Sequence, residues 1–161
     1  MLKRKLILVF VFFTSQFALA KVPTEKIYEC EYKLRGYISG EISVSVRDGK
    51  LQNFDYEGYF APLRPGAGFA CGWSGNRSKP SMAGIEEKWE EQGGATKITY
   101  YDKSSPFDES DFVMAKITKS GISLDFRKIH SGMACGAGAA MPTSLYLSFS
   151  SKRCKVRMPD L

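Results

Sequence analysis

The sequence predicts an all-β protein: a single small antiparallel barrel or sandwich of about eight to ten strands, stapled by disulfide bonds. Three observations support this prediction. Polar and apolar residues alternate along much of the chain. Turn residues such as Asp-Gly separate the alternating runs, and four cysteines follow a leader-like start. An open sheet of this size would expose edges that invite aggregation, so we expect it to close or fold back on itself.

The first 20 residues have the plan of a secretory signal peptide. Three basic residues precede the apolar run LILVFVFF, and an Ala-Leu-Ala cleavage box ends at Ala20. The run is far shorter than the roughly 20 apolar residues that a membrane-spanning helix needs. We therefore expect a signal peptide over 1–20 and one exported β domain over 21–161, which is periplasmic or secreted and has no membrane span in its mature form.

Two predicted hairpins flank the middle of the chain. In IYECEYKLR every second residue is apolar, and EISVSVRDGKLQNF places Ile42, Val44 and Val46 on one face before an Asp48-Gly49 turn. An Asp-Gly pair between alternating runs is a strong hairpin signal. The same pattern recurs in FVMAKITKSGISLDFRKI, and SLYLSFSSKRCKVRM predicts a third hairpin near the C-terminus.

The segment SMAGIEEKWEEQGG fits two structures. One short helix near residues 82–92 would bring apolar residues three and four positions apart onto one face. A strand would instead place Ile85, Glu87 and Trp89 on one face and turn at Gly93-Gly94 into TKITYYD, whose composition favours β structure. We prefer the hairpin because it closes the sheet by local pairing.

Four cysteines in an exported domain predict two disulfide bonds. The favoured pairing joins Cys30, in the first predicted strand, to Cys154, in the last, and joins Cys71 to Cys135. The main alternative joins Cys30 to Cys71 and Cys135 to Cys154. With one histidine in the chain and no closely spaced cysteine pair, we expect neither a metal site nor another cofactor.

Charge limits the classes of partner. The chain carries 23 Lys and Arg against 17 Asp and Glu, a formal charge of +6, and three of the basic residues belong to the leader. The charges are interspersed, so nucleic acid is not an expected partner. Two acidic clusters are interpreted as solvated surface, because neighbouring acids alone do not predict a catalytic pair held across a cleft. They are Glu86, Glu87, Glu90 and Glu91, and Asp108, Glu109 and Asp111.

Two segments share the pattern G-x-A-C-G, at 68–72 and 132–136. We interpret them as loops joined by a disulfide, where only small residues allow the backbones to approach. The alternative is a reactive centre in which His130 activates Cys135 or Cys71. A small thiol-dependent enzyme, or an unrecognised hydrolase, is therefore the second function class that we consider.

Aromatic residues gather around the first of these segments. If Tyr59, Phe60 or Trp73 is exposed beside Arg64, the site offers flat faces and a fixed cation, which suits a protein groove or a sugar polymer. A non-enzymatic binding module of the cell envelope, with a protein or glycan partner, is accordingly our leading hypothesis. A structural envelope protein without a discrete site is the third class.

The plan also resembles that of small periplasmic lysozyme inhibitors. These are eight-stranded barrels with a cysteine in the first strand, here in YECEY, and another near the C-terminus, here in KRCKV. Their Ser-Gly-containing loop enters the cleft of the enzyme, and SGMACGA at 131–137 occupies the corresponding place, with a cysteine inside it. The resemblance implies that His130 and Ser131 are tip residues that contact a lysozyme.

Overall fold

The computed structural model describes residues 24–34, 38–60, 69–79, 84–102, 111–130, 134–135 and 141–159. The expected signal peptide lies outside these residues, as do Arg64 and Ser131.

Ten β-strands form within the described residues, so the all-β prediction and the strand number are confirmed. Their bounds are β1 Lys26–Leu34, β2 Ile38–Arg47, β3 Lys50–Phe60, β4 Phe69–Asn76, β5 Ile85–Gln92, β6 Ala95–Asp102, β7 Asp111–Ile117, β8 Gly121–Lys128, β9 Ser144–Ser148 and β10 Lys155–Arg157.

The strands form two antiparallel sheets in which each strand pairs with its neighbour along the chain. The first sheet has the order β1-β2-β3-β4, and the second has the order β10-β9-β8-β7-β6-β5. β4 and β5 do not pair, so the two sheets do not close into one continuous ladder. Of the two predicted architectures, the sandwich therefore fits and the closed barrel does not.

The segment for which the sequence allows either a helix or a strand forms a β-hairpin with the strand that follows it. β5 and β6 pair antiparallel from Ile85 opposite Asp102 to Gln92 opposite Ala95. Gly93 and Gly94 have φ angles of 57° and 80°. A two-residue turn of this kind requires positive φ at both central positions, which glycine adopts without steric penalty. The preferred hairpin is confirmed, and the helix alternative near 82–92 is wrong.

The core lies between the sheets and is built from the inward side of the alternating pattern. Ile42, Val44 and Val46 are all buried, as the period-two pattern predicts. From the second sheet, Phe126 packs against Phe54 and Tyr56 of β3, with ring centroids 6.2 and 5.6 Å apart. Ring contacts across the two layers add to the burial of apolar area that holds the sheets face to face.

One disulfide fastens the outer edges of the two sheets. Cys30 of β1 is bonded to Cys154, which directly precedes β10. Beside this bond, the Glu31 amide donates to the Lys152 carbonyl and the Cys154 amide donates to the Glu31 carbonyl, both at 2.9 Å. This side of the sandwich is therefore held by a covalent bond and by main-chain hydrogen bonds.

The second disulfide joins Cys71 to Cys135, so the favoured pairing is confirmed for both bonds. The expectation that Cys71 lies in a loop is wrong: it lies within β4, opposite Gly58 of β3. The reason is the alternation of A-C-G-W along β4, which buries Cys71 and Trp73 and turns Ala70 and Gly72 outward.

The opposite side of the sandwich, where β4 meets β5, is held by a carboxylate. Glu87 Oε2 accepts hydrogen bonds from the Asn76 backbone amide at 2.8 Å and from the Trp89 indole at 3.0 Å. The Arg77 guanidinium lies over the Trp89 ring, 5.0 Å from its centroid. Glu87 is thus a structural link between the sheets, and its interpretation as solvated surface is wrong.

We expect the substitution Glu87→Ala to lower the free energy of unfolding by about 1–3 kcal/mol, because two part-buried donors lose their acceptor. The matched control is Glu86→Ala, since Glu86 is exposed on the other face of the same strand. That variant should stay within about 0.5 kcal/mol of the wild type in urea unfolding. Equal losses in the two variants would contradict the linking role of Glu87.

Candidate functional site

A groove with a volume of about 950 Å³ crosses the outer face of the first sheet. Its lining includes Glu31, Glu41 and Glu57, which also line an adjoining depression of about 440 Å³. The three glutamates are exposed and alternate along their strands with buried residues. The concave surface is therefore continuous across β1, β2 and β3 at the position of these carboxylates.

Strand register places the three glutamates in one row. Glu31 lies opposite Glu41 in the pairing of β1 with β2, and Glu41 lies opposite Glu57 in the pairing of β2 with β3. Directly opposed side chains on one face have Cβ atoms about 5 Å apart, and like charges at that spacing are destabilising. We call Glu31, Glu41 and Glu57 the acidic row.

Two further carboxylates flank the acidic row. Glu29 and Asp55 both lie opposite Ser43 of β2, one on each side, and both are exposed. Within the described part of the chain none of these five acids takes part in an ion pair, although other surface acids do. The pairs are Glu25–Arg47, Glu91–Arg77, Glu90–Lys88 and Asp125–Arg127.

Tyr59 is the predicted site residue that the structure places on the groove. It follows Glu57 at the next outward position of β3, and 51% of it is exposed. Its cross-strand neighbours are the small residues Ser39 and Ala70, which leave the ring open to solvent. Lys33 and Arg153 also line the groove, so basic groups lie beside the carboxylates.

Of the other predicted site residues, Trp73 and His130 have described side chains, and neither lines the groove. Trp73 is 3% exposed and packs edge-on against Tyr100 with centroids 4.9 Å apart, so its indole belongs to the core. Phe60 ends β3, where it pairs with Ile38. Arg64 and Ser131 lie outside the described residues, and His130 lies just beyond the end of β8.

His130 pairs with the carboxylate of Asp111, an acid that was interpreted as solvated surface because other acids precede it in the sequence. Its Nδ1 lies 2.7 Å from Asp111 Oδ1, and its backbone amide donates to the same oxygen at 3.2 Å. Asp111 is only 4% exposed, so its interpretation as a surface acid is wrong. A carboxylate in this position fixes the orientation of the imidazole, as it does for catalytic histidines.

The structure gives His130 no cysteine thiolate to activate. All four cysteines are disulfide-bonded, which includes Cys71 and Cys135. A nucleophilic cysteine must be a free thiolate. The Asp111–His130 pair therefore orients a side chain at the surface without completing the reactive centre that the G-x-A-C-G segments suggested.

Beneath the groove, the inner face of the first sheet carries a buried tyrosine pair. The hydroxyls of Tyr32 and Tyr56 are 2.8 Å apart and hydrogen-bonded. Burial raises the pKa of both phenols, since the charged form would lose its hydration. Both groups stay protonated at neutral pH, so they serve as a rigid floor and not as acids or bases.

Comparison of the chain with protein-family models, with curated proteins and with solved structures gives no match. In the described residues no helix has the length and apolar character to cross a membrane. The same residues contain no group of three or more His, Cys, Asp or Glu arranged to hold a metal ion.

Proposed function

We propose that the protein is an exported, non-enzymatic binding protein that holds a protein or glycan of the cell envelope on the outer face of its first sheet. The observation that carries the proposal is the groove itself, which combines half-exposed Tyr59 with carboxylates that take part in no ion pair among the described residues. Concave surfaces with an aromatic side chain and a few convergent polar groups are typical binding sites.

The two disulfides support an exported location and a rigid binding surface. Disulfide bonds persist in oxidising compartments, which is consistent with export to the periplasm or beyond. The groove crosses the part of β1 to β4 in which the strand pairing is uninterrupted, and Cys71 and Cys154 lie along its lining. A rigid surface loses little conformational entropy on binding, so its contacts contribute more fully to affinity.

The proposal is tested by blocking the groove with a side chain that the fold accepts. A Cβ atom added at Gly72 meets only the Tyr56 carbonyl oxygen, at 3.9 Å, so Gly72→Trp should project outward without disturbing the core. The matched control is Ser123→Trp, at a position on β8 that alternates with buried Ile122 and Leu124. Immobilised protein from residue 21 onward is then incubated with solubilised envelope and with purified peptidoglycan.

We expect the wild type and the Ser123→Trp variant to retain the same envelope component and the Gly72→Trp variant to lose it. Circular dichroism of all three proteins shows whether the fold is kept. If the wild type retains no envelope component, the proposed function is overturned. If both tryptophan variants retain the component equally, the groove is not its binding site. The resemblance to periplasmic lysozyme inhibitors suggests a narrower partner, which the same experiment would identify as a lysozyme in the retained fraction.

A further inference from the structure

We infer that the occupant of the groove is a basic polypeptide, whose Arg and Lys side chains pair with the acidic row Glu31, Glu41 and Glu57. The inference rests on the proposed function, because it names the chemistry of the partner that the same face would bind. It selects the protein alternative over the glycan alternative.

Charge is distributed unevenly over the protein. The chain has a formal charge of +6, yet five of its 17 acids lie together on one sheet face. Lys33 and Arg153 also line the groove, but the five acids outnumber them. A face on which acids predominate, on a protein of net positive charge, directs a cationic partner to that face, since complementary potentials steer encounter and disfavour partners of like charge. An anionic polymer would be repelled by the acidic row, whereas a cationic segment would be attracted.

Other surface acids are neutralised by ion pairs within the chain, whereas among the described residues the acidic row has no such ion pair. Lys88 lies 3.1 Å from Glu90, and Arg77 lies 2.5 Å from Glu91. The three opposed glutamates instead repel one another across β1, β2 and β3. A cationic partner removes that repulsion on binding, so it gains affinity from an arrangement that is unfavourable in the free protein.

The spacing of the acidic row also suits a basic polypeptide. Neighbouring strands are about 4.8 Å apart, so the row spans about 10 Å from Glu31 to Glu57. Carboxylates at this spacing can each accept a separate charge-assisted hydrogen bond, and long Arg or Lys stems can reach them in turn. Tyr59, next to Glu57 on the outward side of β3, adds a ring on which a guanidinium can stack.

The test measures binding of a fluorescein-labelled peptide of alternating arginine and serine by anisotropy. A peptide of the same length with glutamate in place of arginine is the probe of opposite charge. The wild type is compared with a variant that neutralises the acidic row, Glu31→Gln, Glu41→Gln and Glu57→Gln. The control variant removes the same number of carboxylates elsewhere, by Glu86→Gln, Glu90→Gln and Asp125→Asn.

We expect the arginine peptide to bind the wild type and the control variant with affinities within about threefold, and neutralisation of the acidic row to weaken binding at least about tenfold. Raising the salt from about 50 to about 200 mM should weaken wild-type binding more than binding to the neutralised variant. Equal weakening in both variants, or equal binding of the glutamate peptide, would overturn the inference.

The envelope experiment separates this inference from the proposed function. If Gly72→Trp abolishes retention of the envelope component and neutralisation of the acidic row leaves that retention unchanged, the groove binds a partner. The inference that the partner is a basic polypeptide is then wrong. If the wild type retains nothing, both are overturned. Loss of retention in the Gly72→Trp variant and in the neutralised variant, with retention by both controls, supports both.

Discussion

A variant with Cys30→Ser and Cys154→Ser is expected to lose about 5 kcal/mol of unfolding free energy, more than the loss of the other disulfide or of any single buried contact should cost. The bond joins residues 124 positions apart, so it restricts the unfolded chain strongly. It also fastens β1 to the segment before β10, at the edge where the two sheets meet. A domain of this size has a total stability of about 5–15 kcal/mol, so the variant should be marginally folded at best.

Urea unfolding followed by tryptophan fluorescence measures this loss. Replacement of the other pair, Cys71→Ser with Cys135→Ser, is the comparison, because that bond spans 64 positions and should contribute about 4 kcal/mol. A loss below about 1 kcal/mol for the Cys30 and Cys154 variant would show that packing alone holds the sheets together, and would contradict the structural role assigned to the bond.

The strands were predictable because burial on one sheet face leaves a period-two pattern in the sequence. That pattern placed Ile42, Val44 and Val46 on one face, which is buried. The hairpin that turns at Gly93-Gly94 was preferred because it pairs strands locally and because the composition of TKITYYD favours β structure. Whether the two sheets close into a barrel could not be predicted from this pattern. Whether the sheets close depends on the approach of β4 to β5. Here the Asn76–Glu87 hydrogen bond and the packing of Arg77 over Trp89 connect the two strands in place of a strand ladder.

The acidic row was not visible in the sequence because it is created by register. Counting back from the Asp48-Gly49 turn without interruption would place Glu41 opposite Tyr56. The register shift between Ser45 and Val46 moves it opposite Glu57 instead. A bulge of one residue reverses which side chains share a face, and nothing local in the sequence indicates where it falls.

Long-range contacts also explain why single residues were misassigned. Asp111 follows Asp108 and Glu109 in the sequence, which favoured a solvated cluster, but it is buried against His130, 19 positions later. Trp73 belongs to an aromatic cluster in the sequence, but the alternation along β4 turns it inward toward Tyr100. Tyr59 reaches the surface because it takes the outward position on β3. Amino-acid composition alone cannot show which of these side chains is buried and which is exposed.

The substitution Gly58→Ala is expected to lower the free energy of unfolding by about 2–4 kcal/mol, a large effect for the addition of one methyl group. Gly58 lies on the inner face of β3, where an added Cβ atom would collide with the hydroxyl of Tyr56. That hydroxyl is buried and hydrogen-bonded to Tyr32. Either the ring moves and the buried hydrogen bond is lost, or β3 shifts against β2, and urea unfolding measures the combined loss.

Two further variants make the cause specific. Gly72→Ala, on the adjacent strand but facing outward, should change stability by less than about 0.5 kcal/mol because its Cβ atom makes only an ordinary contact, 3.9 Å from the Tyr56 carbonyl oxygen. Tyr56→Phe removes the colliding hydroxyl, so Gly58→Ala should cost at least about 1 kcal/mol less in that background than in the wild type. Additive losses in the double variant would show that the penalty comes from the strand backbone and not from the packing of the tyrosine pair over Gly58.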